Sequence, residues 1–211
     1  MRLRAAVLVV AGTVLALGAP AFADDASELP ATFHAHQLGI SARFGVGYRG
    51  IAPRNDELYC GETDATARHG FAPICTGRAP LAIDLEASYG VARHLELLFA
   101  LRFGLEKDFG SAPTTSNGSM PLQLALGGRF FFSEAAHTKL FFQPMLVADV
   151  AQQPTTDGSR GTEYAVRGLE GYWIDLHRAY GFYFYVGETI GVSPWLEGEI
   201  EGGFGFQGRY P

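Results

Sequence analysis

The stretch Pro80 to Leu105, PLAIDLEASYGVARHLELLFALRFGL, decides the fold. Every second residue forms an apolar row: Leu81, Ile83, Leu85, Ala87, Tyr89 and Val91, then Leu95, Leu97, Phe99, Leu101, Phe103 and Leu105. Between them stand small or charged residues, among them Asp84, Glu86, Ser88, Gly90, Glu96 and Arg102. Side chains alternate faces along a strand, so this is a pair of strands with one apolar and one polar face. Ala92, Arg93 and His94 leave room only for a tight turn. That turn pairs Val91 with Leu95 and sets Asp84 opposite Arg102.

Both a soluble sandwich and a membrane barrel have one apolar face, so length decides between them. Each row spans about eleven residues, against ~5–6 for a common soluble strand and ~9–11 for a tilted membrane strand. The hairpin is read as membrane-spanning.

Working outward, the first 23 residues join a basic start (Arg2, Arg4), an apolar run from Ala5 to Leu17, and Ala21-Phe22-Ala23. This is the pattern of a secretory signal peptide, with 24–36 as a periplasmic lead-in and 37–211 as a single barrel domain. Cleavage there removes Arg2 and Arg4 and moves the net charge from −6 to −8, which argues against nucleic acid as a partner. No apolar run after the leader is long enough for a spanning helix, so insertion must be as closed strands.

The first strand alternates Leu38, Ile40, Ala42, Phe44, Val46 and Tyr48 against Ser41, Arg43 and glycines. A fourth runs from Leu122 to Phe132, a fifth from Lys139 to Ala151, a sixth from Glu163 to about Leu176, and a seventh from Gly181 to Val192. Pro144 interrupts the fifth, where a bulge is expected because proline gives the ladder no donor. The sixth slips its parity near Gly168, and Glu188 falls on the apolar row of the seventh. The eighth strand, Leu196 to Tyr210, alternates most clearly, with Glu197, Glu199, Glu201, Gly203, Gly205, Gln207 and Arg209 on one face. Gly45-x-Gly47-x-x-Gly50 and Gly203-x-Gly205-x-x-Gly208 match a dinucleotide fingerprint, but neither has the required strand-turn-helix context.

The connections alternate in length. Pro53–Arg78, Lys107–Met120 and Gln152–Thr162 are long, whereas those near Ala92–His94, Ser133–Thr138 and His177–Tyr180 are tight. Ser193-Pro194-Trp195 is a short last connection. Long outer loops, short inner turns and an even strand count describe an outer-membrane barrel. The chain resembles the small eight-stranded bacterial outer-membrane barrels of the OmpA membrane-domain and OmpX type, over nearly all its length after the leader. Members of that family end on an aromatic preceded by alternate apolar residues; here Tyr210, Phe206 and Phe204 fit, and Pro211 follows. The resemblance implies an all-β, eight-stranded antiparallel up-and-down transmembrane barrel in the outer membrane of a Gram-negative-type bacterium, and it transfers no catalytic residue.

Candidate functional residues follow from that frame. Cys60 and Cys75 lie in the first long loop, and in an exported chain they are expected to bridge, a constraint worth about 3 kcal/mol. The inner rows hold Arg43, Arg102, Arg129 and Arg167 against Asp84, Glu86, Glu96, Glu197, Glu199 and Glu201. An eight-stranded barrel is filled by side chains, so these charges are expected to interlock and close the lumen. Tyr183 and Tyr185 should cover Gly205 and Gly203 from across the last hairpin. Tyr48, Tyr89, Phe130, Phe132, Trp173, Phe182 and Tyr210 read as interface girdles.

His34, His36, His94, His137 and His177 collect at the tight-turn end without interleaved cysteines, and no metal is expected. His69 with Ser111, Ser116, Ser119, Ser159 or Ser193 forms no spaced motif, which weighs against a lipid A-modifying enzyme. The expectation is a structural or surface-interaction protein, monomeric, needing no cofactor. Its partners would be outer-membrane lipid and a surface ligand on the first loop; a lipid-modifying enzyme and a narrow solute channel are the alternatives.

Overall fold

The structure is a computed structural model describing residues 34–52, 75–106, 120–133, 136–150, 154–155, 158–159, 163–191 and 196–210. The expected leader, Cys60 with its expected bridge to Cys75, His69, Ser111, Ser116, Ser119 and Ser193 fall outside the described residues. The strands are β1 (Leu38–Ala52), β2 (Cys75–Arg78), β3 (Ala82–Ala92), β4 (Leu95–Gly104), β5 (Leu122–Phe131), β6 (Thr138–Asp149), β7 (Pro154–Thr155), β8 (Gly158–Ser159), β9 (Glu163–His177), β10 (Tyr180–Gly191) and β11 (Leu196–Tyr210).

Eight of them close an antiparallel barrel in the order β1-β3-β4-β5-β6-β9-β10-β11, with β11 back on β1. A walk round the ladders shows the stagger. Ile40 pairs with Ala87, Ala87 with Phe99, Phe99 with Leu126, and Leu126 with Leu146. Leu146 leads to Val166, then Ile190, Gly198 and finally Gly50, ten residues along β1 from the start. Such a stagger belongs with strands tilted by about 35–45°. The whole walk stays on the outer face, where Ile40, Phe99, Leu126, Leu146, Val166 and Ile190 are exposed. No open edge remains in the closed barrel.

The register of the first hairpin has Asp84 opposite Arg102, but Val91 does not pair with Leu95. Ala92 takes that place and Val91 bulges out, which shortens the turn to Arg93-His94. Residues 75–78 are strand rather than loop. β1 outruns β3, and β2 pairs with Tyr48 to Ile51, giving partners to backbone groups that would otherwise be open. The third long connection likewise carries a small hairpin, β7 on β8.

Pro144 makes no bulge. The β5–β6 ladder omits the pairs at Gly128 and Arg129 and resumes in the same register at Phe130–Phe142. The β6–β9 ladder runs through Pro144–Gly168 unbroken, so the missing N–H costs local bonds without shifting the strand. The parity of β9 does not slip either: Arg167, Leu169, Trp173 and Asp175 are all buried on one side. The apparent slip arises because apolar Leu169 and Trp173 point inward while Glu170 points out. Trp173 is therefore no girdle residue; it is 0% exposed, inside the barrel.

Candidate functional site: a lumen filled with ion pairs

Alternation delivers a small or polar residue to the lumen from every second position, and a tight barrel makes those residues meet. At the centre, the Arg43 guanidinium donates from Nε to Asp84 Oδ2 at 3.0 Å and forms an ion pair with Glu86 at 2.9 Å. Glu86 is a hub for donors from four further strands or positions. Arg129 Nη2 reaches it at 2.6 Å, Gln143 Nε2 at 3.0 Å, Ser41 Oγ at 3.0 Å and Tyr183 Oη at 3.3 Å. Arg129 also donates to Glu96 at 3.1 Å and to Gln143 at 2.7 Å, and lies 5.1 Å from the ring centres of both Trp173 and Tyr183.

Toward the long-loop end, Arg102 forks onto Asp84 at 2.8 and 2.9 Å and crosses the lumen to Glu201 at 2.7 Å. Glu199 lies 3.7 Å from the same guanidinium, and Arg49 donates to Glu197 at 3.2 Å. Arg167 departs from the expected pattern. It donates to Thr189 at 2.9 Å and Gln123 at 2.7 Å, so neutral oxygens hold it where a carboxylate was expected. Glu201 is engaged by Arg102. Outside the strands, Glu106 sits below the usual carboxylate range because Arg78, 2.6 Å away, and the Leu81 N–H both bond its charged form.

The tight-turn end holds a second cluster that the sequence reading missed. His34 is fully buried, packed 4.3 Å from the Phe131 ring and 5.4 Å from that of Trp173. Its Nδ1 meets Glu96, and its Nε2 accepts from Arg209 at 2.8 Å. The same Nε2 also lies 3.6 Å from Asp175 Oδ1. Asp175 gathers Arg209, Lys139 at 3.0 Å and Trp173 Nε1 at 2.8 Å. Lys139 and Arg209 were legible as inward positions; Asp175 was hidden by the misread parity. His34 lay in the supposed lead-in, where no alternation marks it. Residues 34–37 thus belong to the barrel: His36 N donates to Gly90 O at 2.7 Å and Gly90 N to Gln37 O at 3.0 Å. His177 is stacked on Tyr180 at 5.1 Å.

Apolar groups complete the filling. Phe131, Phe141, Met145, Leu169, Trp173 and Tyr183 form one buried cluster. Tyr183 faces Gly205 and Tyr185 faces Gly203 across the β10–β11 ladder, and both rings are buried in the lumen. A side chain at Gly205 would run into the Tyr183 ring, with Cε1 2.7 Å from the new carbon. Chemically, the arrangement is a set of struts: opposite walls are tied by charge-assisted bonds between buried side chains.

No protein-family model matches the sequence, and no curated protein matches it. The fold does match solved structures. Neisserial surface protein A superposes with a TM-score of 0.57 at 8% identity, covering 82% of this chain and 97% of that one. The N-terminal β-barrel domain of Pseudomonas aeruginosa OprF gives 0.50 at 9% identity, covering 82% and 98%. The fold is that of the small eight-stranded outer-membrane barrels.

Proposed function

We propose that the protein is an outer-membrane barrel with a structural or surface-interaction role, whose lumen does not conduct. The observation that carries this reading is the network joining Arg43, Asp84, Glu86, Arg102, Arg129 and Glu201 across the barrel. Buried charges of both signs in a space this narrow are tolerated only when paired, and pairing consumes the polar groups a solute would need. The work is then left to the surfaces, chiefly the long segment 53–74, whose polar sequence makes it the contact candidate.

The test has two parts. Surface labelling of intact cells should reach a tag placed within 53–74, and deleting that segment should abolish binding to cells or surface ligands while the heat-dependent gel mobility of a folded barrel persists. A tag reached only after cell disruption would overturn the localisation. A change in lipid A mass on expression would favour the lipid-modifying alternative.

A further inference from the structure

The outer face carries two carboxylates where lipid should be. Along β9 the outward residues are Tyr164, Val166, Gly168, Glu170, Tyr172, Ile174 and Leu176, so Glu170 has three positions without a charged side chain toward each end. It is the middle residue of a 15-residue strand. Glu188 is on the neighbouring β10, paired with Gly168 on one side and Ile200 on the other. Glu170 pairs with Phe142 and Val186. Both point outward, and neither makes a hydrogen bond or ion pair among the described residues.

Inside, this chain answers its buried carboxylates with arginines. Outside it offers nothing: between the rims, the outward positions of the described barrel strands hold no lysine, arginine or histidine. The described rim cations, among them Arg78, Arg93, His94, His177 and Arg178, lie at strand ends or in turns. An ionised group against hydrocarbon is costly and marks a functional surface with a partner. The wall beside Glu188 is low at Gly168, bordered by the Phe142 ring, 3.6 Å from where a Cβ would stand. Pro144 and Gly168 are direct neighbours, and Gly128 stands in register with Pro144. A second backbone can approach closely over such residues.

We propose that the β9–β10 face docks a membrane-embedded partner chain presenting a lysine or arginine at mid-depth, with Glu170 and Glu188 as its countercharges. A second copy of this chain does not fit, because the outward rows of its described strands present no cation. The cation would donate to both carboxylates while its backbone settles over Gly168 and Pro144. This inference rests on the barrel's spanning a bilayer.

The test uses the full chain in phosphatidylcholine vesicles and a synthetic leucine-alanine spanning helix bearing one central lysine and a terminal dansyl group. Energy transfer from the protein's tryptophans should be several-fold higher than to the same helix with leucine in place of lysine. In the Glu170→Gln/Glu188→Gln variant it should fall to the leucine level. Removing charge from the lipid face favours insertion, so the variant remains a folded barrel. Equal transfer to both helices, or lysine-dependent transfer that survives the double substitution, would overturn the proposal. Carboxylate-dependent cross-linking between barrels, with the helix ignored, would overturn it in favour of self-association. Failure of the wild-type chain to insert would defeat the membrane-spanning reading and this inference with it.

Discussion

Asp84 and Arg102 stand directly opposite each other on β3 and β4, joined by two parallel bonds of 2.8 and 2.9 Å. The same guanidinium reaches Glu201 on β11, so one arginine ties three strands. Arg102→Met would leave Asp84 short of a partner and Glu201 without its arginine, both buried. Loss of one member of such a group costs about 3–5 kcal/mol. Denaturant titration in vesicles, followed by gel mobility, should show a loss of that size. Adding Asp84→Asn should recover part of it, and a fully additive loss would contradict the coupling.

Gly205 is small because Tyr183 lies over it. Gly205→Ala should destabilise by about 1–3 kcal/mol through overpacking, while Tyr183→Ala in the same chain should absorb that penalty. The double variant should therefore depart from additivity by about 0.5–3 kcal/mol. Additive losses would mean that the ring does not cover the glycine.

Gly90 admits the chain at the tight-turn end. A side-chain carbon there would strike the His34 carbonyl and come within 3.2 Å of the Ala35 Cα. Gly90→Ala should expel residues 34–36, accelerating amide exchange at His36, whose N–H bonds Gly90 O at 2.7 Å. The gel mobility of the folded barrel should persist. A His36 amide as protected as before would contradict this placement.

The pattern of alternation carried the architecture, and where turns were tight it carried register too. Asp84–Arg102 and Tyr183–Gly205 follow from counting back from a short loop. The same counting misplaced Val91, because a one-residue bulge leaves no mark in composition. Facing was legible wherever the inner residue was charged or small. It failed on β9, since a narrow lumen also accepts Leu169 and Trp173, and apolarity then no longer identifies the lipid side. The end at which His34 sits was legible, but its burial was not: an irregular segment folded into a barrel mouth has no period to read. Arg167 was placed on the inner face, but its partners are Thr189 and Gln123, because alternation gives the facing of a residue and not which polar groups meet across the lumen.

Trp173 offers a direct optical check of that corrected facing. In a Trp195→Phe variant, brominated acyl chains should leave the remaining tryptophan emission nearly unquenched, because the indole lies in the lumen beside Arg129 and Asp175. Strong quenching would return Trp173 to the lipid face and overturn the parity of β9.

The central claim is that Arg43, Arg102 and Arg129 with their carboxylates close the barrel from wall to wall. Planar-bilayer recording of the purified, inserted protein at neutral pH tests it most directly. The interlocked lumen predicts a bilayer that stays silent, with no discrete steps above the membrane's own leak. Stable single-channel steps from the wild-type barrel would contradict the closed lumen and make the protein a solute channel.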